Sequence, residues 1–279
     1  MKKYFILLVA ALLSAACAQK AKTVIPELRS VPPVAEQAPG IDPTNDYLAG
    51  EFYYGQDTLR YRYMEPIAVE KGKSYPLVLF LHGAGERGSD NWRQLIHCSR
   101  MFSSPVNREN YPAYVLFPQC PSDGYWAYED RPGFSLDTMP LEFEETDVMK
   151  AVMDLVDAFV ANYPIDEGRL YIAGLSMGGM ATYDAVIRHP KKFAAAVPIC
   201  GAVNNDRLTA EIKTPFRIFH GDADPVVPLK FSRVAYWRLK EAGVEVEYKE
   251  YPGVGHNSWD PAVTEEDFLP WMFSKKRKW

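Results

Sequence analysis

Apolar positions along this chain follow two rhythms. Short, near-continuous apolar runs occur at Leu77-Val78-Leu79-Phe80-Leu81, Tyr114-Val115-Leu116-Phe117, Leu170-Tyr171-Ile172-Ala173, Ala194 to Ile199, Phe216 to Phe219 and Val244 to Tyr251. Runs of this length, bounded by turn residues, predict strands, and Leu77 to Leu81 reads as a central strand buried on both faces. Ahead of them, Glu51 to Tyr54 and Arg60 to Met64 alternate, which predicts an antiparallel opening pair. Eight strands result.

The second rhythm is helical. Val148, Val152, Leu155, Val156 and Phe159 recur on one face, with Glu144, Glu145 and Asp147 at the end where the macrodipole favours negative charge. Gly178 through His189 predicts another helix, stopped by Pro190, and Leu229 to Glu241 a third, ended by Gly243. Strands alternating with helices predict an α/β fold: a mostly parallel eight-stranded sheet with helices on both faces, in one domain over residues 47–279.

The N-terminal residues do not share either rhythm. Lys2 and Lys3 precede the apolar run Tyr4 to Leu13 and the small residues Ser14, Ala15 and Ala16, which predicts a signal peptide over residues 1–18, too short for a membrane span. Two cleavage patterns overlap there. Ala16-Cys17-Ala18 suits ordinary signal peptidase, whereas a cysteine after small residues suits a lipoprotein signal ending before Cys17, which would then carry the lipid anchor. Residues 19–46 hold Pro26, Pro32, Pro33, Pro39 and Pro43 with few large apolar residues, which predicts an extended linker.

Composition narrows the function classes. With 279 residues, 47% hydrophobic and 24% charged, the chain can bury a substantial core. A net charge of -5 excludes a general attraction to phosphate backbones, so nucleic acid is not an expected partner. The closing run Lys275-Lys276-Arg277-Lys278 is read as a solvated tail. Export implies an oxidising compartment, and an odd number of cysteines, Cys98, Cys120 and Cys200, remains beyond Cys17. Cys98 with Cys120 is the disulfide to test, against the reading of all three as small buried apolar residues. No Cys/His spacing resembles a zinc site.

The chemistry is carried by Gly174-Leu175-Ser176-Met177-Gly178, which follows an apolar strand and opens a helix. In that context the serine is held at the tip of a strained turn, facing a cleft. A serine hydroxyl is unreactive at neutral pH without a base. In this arrangement an acid and then a histidine follow the nucleophile, each in a loop after a strand. His220-Gly221-Asp222-Ala223-Asp224-Pro225 follows one strand and Gly253-Val254-Gly255-His256 follows the last. His256 is the candidate base, while His82, His97, His189 and His220 are read as structural. Asp224 and Asp222 both qualify as the acid. Asp224 is preferred because Pro225 fixes the loop beside it, and Asp222 is read as a turn residue.

Acyl transfer also requires donors for an oxyanion. The amide of Met177 is one candidate, and the loop His82-Gly83-Ala84-Gly85-Glu86-Arg87-Gly88 supplies the other, assigned to Ala84. That loop lacks the lysine of a phosphate-binding loop. Between Pro121 and Leu141 lie Tyr125, Trp126, Tyr128, Asp130, Arg131 and Phe134, and Trp259 closely follows the base. Trp126 and Trp259 are the expected substrate-binding residues, with aromatic rings that could stack on a sugar or a phenolic acyl group.

Taken together with Pro118-Gln119-Cys120-Pro121, these motifs resemble the esterase branch of the α/β-hydrolases. That branch includes phospholipase/carboxylesterases, polyhydroxybutyrate-depolymerase-like esterases, feruloyl esterases and predicted peptidases. The resemblance runs from about Phe52 to the C-terminus. It implies a cofactor-free serine esterase with Ser176, Asp224 and His256 at the triad positions and Ala84 and Met177 at the oxyanion positions. The substrate so implied is a small-molecule or polysaccharide-linked ester, with acetyl or feruloyl groups favoured by the aromatic residues. Cleavage of short peptides by the same machinery is one alternative, and carbohydrate binding on a scaffold without catalysis is another.

Overall fold

The computed structural model describes residues 46–128 and 139–279, together with the backbone of Arg29–Ser30. The expected signal segment, the remainder of the linker, and Asp130, Arg131 and Phe134 lie outside the described residues.

The opening strands β1 (Arg29–Ser30), β2 (Leu48–Tyr54) and β3 (Asp57–Met64) pair antiparallel, with Phe52 opposite Leu59 across the second pair. β4 (Tyr75–Leu81), β5 (Tyr114–Gln119), β6 (Ile165–Leu175), β7 (Ala195–Ile199), β8 (Phe216–Gly221) and β9 (Val246–Tyr251) run parallel to one another. The order across the sheet is β1-β2-β3-β5-β4-β6-β7-β8-β9. All eight expected strands are present. The additional two-residue β1 pairs Arg29 with Glu51 and Ser30 with Gly50, so the region expected to be an extended linker contributes a short edge strand.

β4 is buried at every position because helices cover both faces of the sheet. The helices are α1 (Ser99–Ser103), α2 (Pro105–Asn110), α3 (Asp147–Asn162), α4 (Met177–Arg188), α5 (Lys230–Glu241), α6 (Trp259–Ala262) and α7 (Phe268–Ser274). Leu77, Leu79 and Leu81 join a core with Val152, Leu155 and Phe159 of α3 and Ala235 of α5. Val78 and Phe80 point the other way, into a core with Phe102 of α1 and Phe268 and Trp271 of α7. The period of two along a strand sends successive side chains to opposite cores.

Local signals set the helix ends. Thr146 Oγ1 accepts a hydrogen bond from the Met149 amide at 3.1 Å and caps α3, and Asp147 occupies its first turn. α5 closes at Gly243, whose positive φ of 76° lets its amide turn back to the Lys240 carbonyl. The four shorter helices have too few turns to imprint a period on the sequence.

One open alternative is resolved and one expectation is corrected. No disulfide joins Cys98, Cys120 or Cys200. Cys120 belongs to the core on one face of the sheet and Cys98 lies against the core on the other, so a bridge between them would have to cross the sheet. The basic C-terminus is docked rather than loose. Lys275 pairs with Glu245, the Arg277 amide donates to the Gly168 carbonyl at 2.8 Å, and Trp279 Nε1 donates to the Lys191 carbonyl at 3.2 Å.

Candidate active site

Ser176 occupies the single residue between β6 and α4, with φ 53° and ψ -115°. Such a conformation costs a non-glycine residue about 1–3 kcal/mol and persists only where its surroundings enforce it. Here the enforcement is visible. The elbow is pressed so closely on the end of β4 that a side chain at Gly178 would overlap the Leu81 carbonyl. The Ser176 amide is tied to the Ile199 carbonyl of β7 at 2.9 Å.

The acid and the base come from adjacent loops after β8 and β9. A side chain at Gly221 would collide with the Val254 carbonyl, so glycine at the end of β8 is what lets the two loops touch. The Ala223 amide then donates to the Val254 carbonyl at 3.0 Å. Oδ1 of Asp224 accepts the amides of Val226 and Val227 at 2.8 and 2.9 Å. Its Oδ2 accepts from Nδ1–H of His256 at 2.7 Å. Nε2 of His256 in turn accepts from the Ser176 hydroxyl at 2.8 Å.

This order of bonds settles the tautomer of His256: Nδ1 carries the proton, and Nε2 is free to take one from the serine. The Asp224 side chain is fully buried. Burial alone would push its carboxyl up, but hydrogen bonds from His256 and the amides of Val227 and Val226 outweigh it and hold the pKa below the usual range. Asp222 points elsewhere and accepts the Gly253 amide at 2.7 Å.

The loop after β4 borders the nucleophile. A side chain at Gly83 would lie 3.7 Å from Ser176 Cβ, and Ala84 follows it in the same loop. Met177 begins α4 directly after Ser176. His82 fixes this loop from within: its Nδ1–H donates to the Gly83 carbonyl at 2.6 Å and its Nε2 accepts the Cys120 amide at 3.0 Å. Burial lowers the His82 pKa to about 4, so the ring stays neutral and can accept.

Trp126 and Trp259 part company. Trp126 is fully buried, its ring edge-on to His82 at 5.1 Å, and its indole N–H donates to the His82 carbonyl at 3.1 Å. It has no surface to offer a substrate and braces the loop instead. Trp259 is half-buried and stands 5.6 Å from the His256 ring.

Several residues enter the neighbourhood that the sequence reading left aside. His97 lies 5.1 Å from the Trp259 ring and 3.5 Å from Glu86, whose carboxyl is pushed up by burial but brought down overall by His97. Cys200 sits beneath the triad, its Sγ within 4.8 Å of a ligand atom of Asp224 and of His256. Burial pushes that thiol up to about 12, so it is no competing nucleophile. Among the described residues, Cys200, Asp224 and His256 are the one trio close enough to share a metal ion, and two of them are engaged in the triad bonds. His189 is remote from this centre and lies 3.5 Å from Glu145. His220 also reaches Asp224, its Nε2 lying 3.2 Å from Oδ2.

Residues 64–265 match the Phospholipase/Carboxylesterase family. The chain belongs to that family. Members of the same branch share its sequence at a distance: a probable carboxylesterase of Oryza sativa subsp. japonica is 28% identical over 71% of this chain and 87% of its own. Carboxylesterase SOBER1 of Arabidopsis thaliana is 29% identical over 64% of this chain and 82% of its own. Among solved structures, a thermostable esterase superposes with a TM-score of 0.76 and 36% identity, covering 84% of this chain and 64% of that one. Family membership and the hydrogen-bonded order Asp224, His256, Ser176 make this protein a serine hydrolase of the α/β-hydrolase fold. Among the described residues, no helix is long and apolar enough to cross a membrane.

Proposed function

We propose that this family member is an exported carboxylesterase that cleaves small carboxylic esters through an acyl-enzyme, with acetyl and feruloyl esters of plant polysaccharide as its substrate class. The observation that carries the reading is the continuous pair of bonds at 2.7 and 2.8 Å joining Asp224, His256 and Ser176.

In the first step Ser176 Oγ attacks the ester carbonyl carbon while its proton passes to His256 Nε2. The tetrahedral oxyanion is held by the amides of Ala84 and Met177. Collapse breaks the bond to the alcohol oxygen, which leaves with the proton from His256. A water, deprotonated by the same nitrogen, then releases the acid and restores Ser176. Asp224 keeps His256 in the productive tautomer and offsets the charge it acquires.

Export rests on Lys2 and Lys3 ahead of the apolar run Tyr4 to Leu13, with Cys17 as the residue that would carry a lipid anchor. Trp259 beside the base supports a flat or ring-bearing substrate. A bifunctional acetylxylan esterase/xylanase of Neocallimastix patriciarum, 28% identical over 50% of this chain and 22% of its own, supports the acetyl polysaccharide ester.

Purified protein is expected to hydrolyse p-nitrophenyl acetate and methyl ferulate, and a fluorophosphonate probe is expected to label it at Ser176. Ser176→Ala should abolish both. Peptide cleavage with inert esters would make it a peptidase, and absence of labelling would reduce it to a non-catalytic scaffold.

A further inference from the structure

The loop that carries Asp224 starts from a second histidine. His220, at the end of β8, is fully buried, and its Nε2 faces two acceptors, the Val227 carbonyl at 2.9 Å and Oδ2 of Asp224 at 3.2 Å. A nitrogen facing two acceptors carries the proton. Nδ1 then accepts from the hydroxyl of Ser232 on α5 at 2.7 Å, which fixes the tautomer from the far side. Burial lowers the His220 pKa, in keeping with a ring that stays neutral. Oδ2 of Asp224 therefore lies between two imidazole N–H groups, one from His256 and one from His220.

We infer that His220 is a positioning residue of the triad, holding Oδ2 of Asp224 in line with Nδ1 of His256 and drawing off part of the carboxylate's charge. The charged and titratable groups facing it are Asp224, His256 and Glu250 on β9. Glu250 is itself paired with Arg233 through two bonds of 2.7 Å, so its charge is largely answered. With one donor fewer, the Asp224 carboxylate would attract the proton on His256 more strongly. The acid limb of the activity profile would then move to higher pH.

The inference rests on the esterase reading and is tested with His220→Gln, His220→Leu and Ser232→Ala on p-nitrophenyl acetate. Rates are measured from about pH 5 to about pH 9 and expressed per site labelled by a fluorophosphonate, so unfolded protein is not counted. Glutamine places an amide N–H near the Nε2 position. It should keep kcat within about threefold of wild type with the acid limb in place. Leucine should lower kcat about tenfold, the factor for one hydrogen bond to a charged group, with KM little changed and the limb raised by about half a pH unit. Ser232→Ala, which leaves the ring present but unanchored, should fall between.

A leucine variant with wild-type kcat per labelled site and an unmoved limb would overturn the inference, as would glutamine failing as badly as leucine. If leucine does not fold, Ser232→Ala decides, and an unmoved limb there counts against His220. Failure of the esterase reading would look different: the wild-type protein itself would turn over no ester and take no label, and the inference would fall with it.

Discussion

Nδ1 of His256 donates to Oδ2 of Asp224 at 2.7 Å, while the carboxylate two residues earlier, Asp222, turns away onto the Gly253 amide. Two acids in one short loop thus have separate tasks, one orienting the base and the other tying the β8 loop to the β9 loop. Asp224→Asn should lower kcat on p-nitrophenyl acetate by about 10⁴-fold, because an amide at that place favours the unproductive histidine tautomer. Asp222→Asn should lower it by less than about tenfold, since it touches no reacting atom. Comparable losses in steady-state assays would reassign the acid.

The elbow tolerates no side chain where α4 meets β4. Gly178→Ala should cost about 3 kcal/mol or more in urea unfolding, because the clash is with backbone that cannot step aside. Gly85→Ala is the matched control. Nothing lies within 4 Å of its added methyl, so stability should stay within about 0.5 kcal/mol.

His82 gives stability a defined pH dependence. Its folded pKa of about 4 lies below the ordinary value of 6.5, so between these values the unfolded chain binds the proton more readily. The contribution is complete above about pH 6.5 and declines by about 3 kcal/mol as pH falls to about 4. The depressed carboxyl of Asp224 takes over below that range, losing its contribution as it protonates. Denaturant midpoints followed over this interval should fall less steeply in His82→Gln, and parallel slopes would remove His82 from the account.

The two tryptophans should separate in a kinetic and thermal comparison. Trp126→Phe removes the bond to the His82 carbonyl and should cost about 1–2 kcal/mol of stability with KM little changed. Trp259→Ala should raise KM for methyl ferulate more than for p-nitrophenyl acetate, as a lost ring contact predicts. Equal changes for both esters would take Trp259 out of substrate binding.

With no disulfide at Cys98, Cys120 or Cys200, stability is indifferent to reductant. Dithiothreitol should leave the melting temperature unchanged within about 1 °C, whereas loss of a disulfide typically costs several kcal/mol.

Much of the architecture was legible because burial on both faces leaves strands uniformly apolar. Leu77 to Leu81 reads as a central strand, and β4 is one. The nucleophile was legible for a related reason: Gly174, Ser176 and Gly178 sit at a turn whose sterics admit few alternatives. The helices α1, α2, α6 and α7 were not legible, since four to seven residues cannot show a helical period. The edge strand Arg29–Ser30 was hidden among prolines for the same want of length.

The sequence by itself determined which residue types stand at the strand ends, in the order serine, acid, histidine, because local sterics and hydrophobic period write themselves into neighbouring positions. Only the tertiary structure decided what those loops bring together. It chose Asp224 over Asp222, buried Trp126 and left Trp259 beside the base, kept Cys98 and Cys120 on opposite faces of the sheet, and placed His220 against Asp224. Each of these turns on a contact, or the absence of one, across the sheet or between its loops. Such a contact is set by strand order and loop crossing, for which no spacing along the chain is a measure.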